Sequence, residues 1–364
     1  MELENSAVAP DPRHRHRDAP STPRDASFLA VFLLTFFGVV GGMAALSWLV
    51  DPLAAFGTAL LPPAISADRD YKAGLYDRLP TPPSIVVIGS SRSKTIRPAC
   101  INQLTGESAF NFGVNGAAAE DYLAIFRWLH RDPNSVVHEI LLGVDPEALQ
   151  DTEGPHRPLA DSRALRGLVA GMVEPHRWTA VAEDLWSRQS IVASVRSLRY
   201  AVLGQPDLPS TRLSADGVQE YPRFDAQVRA GTFAQEEQVR GSIPGILPRY
   251  SDFARLSSRR LGLLVTMLQE ARDARIQVIA FIPPIHPELE RAGSGGYLPV
   301  RSTETADTLR GLASAGLLHY VEARDLASFG GNAAWYYDAL HFMPANADRL
   351  VALLLGRQTV CAVQ

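Results

Sequence analysis

Near the end of the chain, Asp338-Ala339-Leu340-His341 sets a carboxylate beside a histidine; far upstream, the apolar run Ile85-Val86-Val87-Ile88 ends in Gly89-Ser90-Ser91-Arg92. These residue types suit nucleophilic acyl chemistry. A serine hydroxyl is a weak nucleophile at neutral pH, so it needs a histidine to take its proton and a carboxylate to hold that histidine's tautomer. Ser91, His341 and Asp338 are the three groups expected to combine. Ser90 is the alternative hydroxyl, and a Gly-Ser-Ser turn also serves as an ordinary structural joint. His286, in Ile282-Pro283-Pro284-Ile285-His286-Pro287, is a rival base, with Glu288 as its only nearby carboxylate in register.

Elements that bring such distant residues together should come from an alternating fold. From Ser84 onward, short β-branched or apolar runs alternate with longer helical stretches, which predicts a parallel sheet covered by helices. Strands are expected at 85–88, 109–112, 137–144, 276–282 and 320–321. Helices are expected at 118–131, 253–274, 303–315 and 345–355. The fold class expected is thus a three-layer α/β/α sandwich with a flavodoxin-like parallel sheet. About 146–250 breaks the alternation and reads as an insertion rising over the carboxyl edge of the sheet, where ligands of open α/β sheets bind. Its Trp178, Trp186, Tyr200 and Tyr221 suit either packing or stacking on sugar rings.

The chain holds 364 residues, enough for a large α/β domain with an insertion. Its net charge is −4 and its basic residues are scattered, so nucleic acid is not an expected partner. Residues 28–50 carry no charge and are long enough to cross a hydrocarbon core of ~30 Å at ~1.5 Å per residue. Arg13, Arg15, Arg17 and Arg24 precede this segment and the next basic residue is Arg69, so the positive-inside rule predicts a cytoplasmic N-terminus and an extracytoplasmic C-terminal domain. A cleaved signal peptide would have a shorter apolar core. The expected organisation is a disordered cytoplasmic tail at 1–27, a transmembrane helix at 28–50, a neck at 51–83 and a catalytic-type domain at 84–364. Cys100 and Cys361 are permitted, not required, to form a bridge in an exported domain. No metal-ligand spacing, Walker loop or dinucleotide glycine fingerprint is present, so no metal or organic cofactor is expected.

Gly89-Ser90-Ser91, Asn111-Phe112-Gly113-Val114-Asn115-Gly116, Gly143-Val144-Asp145 and Asp338-Ala339-Leu340-His341 follow in an order that resembles the four blocks of the SGNH hydrolase superfamily. The resemblance covers roughly 84–355 without the insertion. It is nearest to the membrane-anchored branch that includes alginate O-acetyltransferase components and D-alanyl transfer proteins. It implies Ser91 as nucleophile, His341 as base, Asp338 as its orienting carboxylate, and the N–H groups of Ser91 and Gly116 as oxyanion donors. Asn115, Arg92 and Asp145 are implied as neighbouring oxyanion or substrate-binding groups. Asp145 departs from the pattern, which has asparagine in the third block. Either it pairs with Arg92, or burial keeps it protonated, or it caps the next helix, or the oxyanion site is weaker. The implied activity is extracytoplasmic acyl transfer, as O-acetylation of a cell-envelope or exported polysaccharide, with a multispanning membrane acyltransferase as the acyl-supplying partner. A membrane-tethered esterase and a noncatalytic glycan-binding scaffold are the alternatives.

Overall fold

The computed structural model describes residues 23–50, 68–152, 156–160, 162–170, 185–186, 191–192, 194–195, 198–199 and 211–361. Most of the expected tail, the first part of the neck, and Trp178 and Tyr200 of the insertion lie outside the described residues.

Five parallel strands form the central sheet in the order β2-β1-β3-β6-β7: β1 is Ile85–Ile88, β2 Ala109–Asn111, β3 Glu139–Gly143, β6 Gln277–Phe281 and β7 His319–Tyr320. These central strands read as continuous apolar runs because parallel strands are covered on both faces. Val86, Val87, Ile140, Leu141 and Ala280 are accordingly buried. The chain leaves β1 in one direction to β2 and returns past it to β3, so right-handed crossovers put the connecting helices on opposite faces. Helix α3 (Pro98–Thr105) packs with the last helix, Pro344–Leu354, while α4 (Ala119–Leu129) packs with Ser258–Asp273. The three-layer α/β/α architecture follows.

Element ends differ from the sequence expectations for local reasons. The helix expected from 253 begins at Ser258, because the Ser257 side chain accepts the N–H of Arg260 and caps it there. The helix expected from 303 begins at Tyr297; Pro299 falls in its first turn, where a missing N–H is tolerated. Residues 68–77, inside the expected neck, form helix α2, whose Asp68, Arg69 and Lys72 are buried against the main domain. Arg69 Nε donates to Asp121 Oδ1 at 2.7 Å and Lys72 Nζ to the Asn111 carbonyl at 3.0 Å. The insertion supplies a two-stranded hairpin, β4 (Arg212–Leu213) with β5 (Gln219–Glu220), and helices Pro222–Arg229 and Gln235–Ile246.

Helix α1, Pro23–Val50, is the one helix among the described residues long and apolar enough to cross a membrane. At the other end of the chain, Cys361 is bridged to Cys100 of α3, with Cα atoms 5.4 Å apart. The bridge that the sequence left open is therefore formed, and it ties the last described residue to the sheet's helical cover.

Candidate active site

β1 is buried along its length and delivers Gly89 into a space with no room for a side chain. A Cβ there would meet Ser93 Oγ at 2.4 Å and the Gly143 carbonyl at 3.0 Å. The chain then turns sharply, with Ser93 N–H donating to Ser90 O at 3.0 Å and Lys94 N–H to Ser91 O at 3.3 Å. Asn111 at the end of β2 pins this turn. Its Nδ2 donates to the carbonyls of Ser93 and Ile96, both at 2.8 Å, and its Oδ1 accepts Gly113 N–H at 2.9 Å. Ser90 turns inward, buried, and its Oγ accepts the N–H of Arg92. Ser91 is the hydroxyl left facing out.

His341 reaches it from the other end of the sequence. The loop before the last helix is a tight reversal in which Tyr336 and Phe342 bridge and Tyr337 N–H donates to His341 O at 2.8 Å. Asp338 Oδ1 accepts the N–H groups of Leu340 and His341, each at 2.8 Å, which fixes the carboxylate under the imidazole. His341 Nδ1 lies 2.8 Å from Asp338 Oδ2, and its Nε2 lies 3.0 Å from Ser91 Oγ. The order is hydroxyl, imidazole, carboxylate. Burial pushes the Asp338 carboxyl up, but the hydrogen bond and charge of His341, with the two backbone donors, hold it below its ordinary value. It therefore stays an acceptor toward Nδ1, leaving Nε2 free of a proton and able to take one from Ser91.

A cleft of about 520 Å³ opens at this point, lined among others by Ser91, Gly116, Asp145, Arg92, His156 and Arg249. Gly116 sits at φ +56° on its rim, a left-handed conformation that favours glycine. Among the described residues, no acceptor is engaged by the N–H of Ser91 or of Gly116. Asn115 is placed differently. Its Oδ1 accepts from buried Lys94 at 3.0 Å and its N–H donates to Asp68 at 2.6 Å, so it props the loop from behind and does not line the cleft.

Arg92 and Asp145, both in the lining of the cleft, meet there, Nη1 to Oδ1 at 3.2 Å. Arg92 Nη2 also donates to Glu147 and, at 2.9 Å, to Tyr250 Oη, and Tyr250 in turn donates to Glu147. Burial raises the Asp145 carboxyl to about 6; Arg92 opposes that rise and Glu147 adds to it. Asp145 also stands at the N-cap position of the 3-10 turn Pro146–Leu149, but its side chain makes no cap hydrogen bond there.

His286 is engaged elsewhere. Its Nδ1 accepts the N–H of Glu288 at 3.1 Å, capping Pro287–Ala292, and its ring stands edge-on to Tyr336 with centroids 5.2 Å apart. Burial lowers its affinity for a proton. It supports the His341 loop from behind.

One residue of the cleft had no sequence signal. His156 comes onto the cleft, with Nε2 2.9 Å from Asp121, a buried carboxylate held well below its ordinary value despite burial by Arg69 and His156. Tyr221, an insertion aromatic expected either to pack or to stack on sugar, is buried: its ring lies tilted against Tyr337 with centroids 4.3 Å apart, and 6.4 Å from the His341 ring, in a small apolar cluster with Met343 and Phe224. By contrast, Glu147 was within reach of sequence reasoning, two residues after Asp145.

No family model matches the chain, and no curated protein matches it. Among solved structures it is similar to a Bacteroides fragilis protein described as a candidate acylhydrolase, at 12% identity and a TM-score of 0.38, over 80% of this chain and 95% of that one. At that score the likeness adds no weight to the geometry of the site.

Proposed function

We propose that the protein is a membrane-anchored serine acyltransferase of SGNH type that O-acetylates a cell-envelope or exported polysaccharide. The observation that carries the acyl chemistry is the hydrogen-bonded chain Ser91 Oγ, His341 Nε2 and Nδ1, Asp338 Oδ2.

In this reading Ser91 Oγ attacks the carbonyl carbon of a donor ester while His341 Nε2 takes the hydroxyl proton. The tetrahedral oxyanion forms beside the N–H groups of Ser91 and Gly116, and each preorganised donor of this kind contributes about 3–4 kcal/mol. Collapse expels the donor's alcohol, which receives the proton from His341, and leaves an acyl ester on Ser91. An acceptor hydroxyl then gives its proton to His341 and attacks the same carbonyl. The new ester departs and Ser91 recovers its proton. Asp145 lines this volume with its carboxyl paired to Arg92, which lessens its repulsion of the oxyanion.

Support for a hydroxyl-rich acceptor comes from the polar lining of the cleft, where Gln150, Thr152, Arg249 and Asp252 present donors and acceptors. Helix α1 supports anchoring at a membrane, where a multispanning acyltransferase would supply the acyl group. The cleft is also open to water, which favours the second reading, a tethered carbohydrate esterase. Intact-mass analysis of the detergent-solubilised full chain after fluorophosphonate treatment tests the common step. A single adduct absent from Ser91→Ala is expected; a folded protein without adduct would leave the scaffold reading in its place. Release of acyl group to water against transfer to added glycan then separates esterase from transferase.

A further inference from the structure

Helix α1 is surrounded by solvent over only part of its length. From Ser27 to Val39 every residue is exposed; beyond that, Val40, Met43, Ala44, Leu46, Ser47 and Val50 are wholly or partly covered. Their spacing places them on one side of the helix. One covering contact is explicit: the Trp186 indole Nε1 donates to the Val40 carbonyl at 3.0 Å.

The uncovered stretch is too short for a bilayer. Thirteen helical residues rise about 20 Å, whereas a hydrocarbon core is ~30 Å thick and needs about 20 residues. Arg24 and Asp25 stop the helix from sliding further toward its N-terminus, because charged side chains are costly inside hydrocarbon. The crossing must therefore run on through Val40 to about Leu46. Whatever covers that face lies at the same depth.

We infer that the insertion's Trp186, Val192, Val195 and Leu198 are embedded among the lipid acyl chains of the leaflet on the folded domain's side. The exposed side chains there are the ones such a seat requires. Trp186 is 44% exposed, Val192 49%, Val195 52% and Leu198 41%, while Ser194 between them is buried. Positions 192, 195 and 198 recur at helical spacing and are helical. Trp186 at Val40 lies about 10 Å inside the hydrocarbon boundary, taking the crossing to end near Leu46. The insertion thus contributes to the cleft through Thr152 and Arg249 and to the membrane through this segment, and it joins the two.

The inference rests on α1 crossing a membrane, and the test separates the two. The full chain is reconstituted into phosphatidylcholine vesicles doped with a phospholipid carrying a diazirine in its acyl chain, irradiated, and mapped by peptide mass spectrometry. Adducts are expected on 27–39 and, in comparable yield, on 185–199. Adducts on 27–39 alone would overturn the embedded segment and leave the anchor standing; adducts on neither would overturn both. Val195→Glu with Leu198→Glu should remove the adducts from 185–199 while leaving those on 27–39. Fluorophosphonate labelling of Ser91 in that variant reports that the fold persists, and unchanged lipid adducts on 185–199 in a folded variant would also overturn the inference.

Discussion

Arg92 and Asp145 share a buried contact, Nη1 to Oδ1 at 3.2 Å with each side chain 4% exposed, in the lining of the cleft that Ser91 faces. Arg92 also holds Glu147, so one guanidinium answers for two carboxylates. Removing one partner of a buried ion pair leaves an uncompensated charge and costs about 3–5 kcal/mol. Arg92→Ala should lower the unfolding free energy read by denaturant titration by that amount and slow fluorophosphonate labelling of Ser91. A variant of normal stability and turnover would remove Arg92 from the supporting role.

The same pair sets a pH dependence. Asp145 takes its proton at about 6 in the folded state against an ordinary 3.8, so the folded molecule binds that proton before the unfolded chain does. Its contribution to stability is least favourable above pH 6 and improves as pH falls from 6 toward 4, by up to about 1.4 kcal/mol per pH unit. Asp145→Asn has nothing to titrate there. The melting temperature of the parent minus that of the variant should therefore rise between pH 7 and pH 5, and a flat or falling difference would contradict the raised carboxyl.

Ser91, His341 and Asp338 should act as one unit. Ser91→Ala or His341→Ala is expected to cut turnover of an acyl ester at least about 1000-fold, and the double variant no further than either single one. Asp338→Asn keeps a side chain that can still cap the loop but disturbs the tautomer. It should leave the melting temperature within a few degrees while lowering kcat by at least about 100-fold. Additive losses in the double variant would argue against a shared mechanism.

Asn111 makes a prediction about stability and positioning together. Asn111→Leu would orphan the carbonyls of Ser93 and Ile96 and the N–H of Gly113, and a buried polar group left without its partner costs about 1–3 kcal/mol. Urea titration should show a loss of at least about 2 kcal/mol, with Ser91 labelling slowed in the fraction that stays folded. Labelling at the parent rate would show that the turn holds without it.

The Cys100–Cys361 bridge closes most of the domain into one loop. Its reduction should destabilise the fold by about 2–5 kcal/mol, read as a melting temperature several degrees lower in reducing buffer. A Cys100→Ala, Cys361→Ala variant should melt at the reduced temperature in either buffer.

The sequence by itself determined the features that are periodic or local. Continuous apolar runs such as Ile85–Ile88 mark parallel strands because burial on both faces demands them, and all five central strands lie within two residues of the positions so read. The Asp338 and His341 spacing was legible for the same reason: a short loop holds both ends of the pair. Charge-free length marked α1.

What tertiary structure decided is what depends on residues distant in sequence. Whether Ser90 or Ser91 faces out was settled by Asn111, Gly89 and Gly143 packing around the turn, and no local pattern encodes that choice. His286 and His341 each follow apolar runs with a carboxylate nearby, yet only His341 meets Ser91, because His286 is held as a helix cap against the Tyr336 ring. Asp145 was ambiguous until Arg92, from the turn after β1, paired with it, itself held by Glu147 and by Tyr250 of the insertion. The insertion's contributions, Tyr221 at the imidazole and Trp186 at α1, were the least legible of all. Their partners are fixed by packing between segments whose separation in the chain carries no periodic signal, and only the folded chain brings them within contact distance.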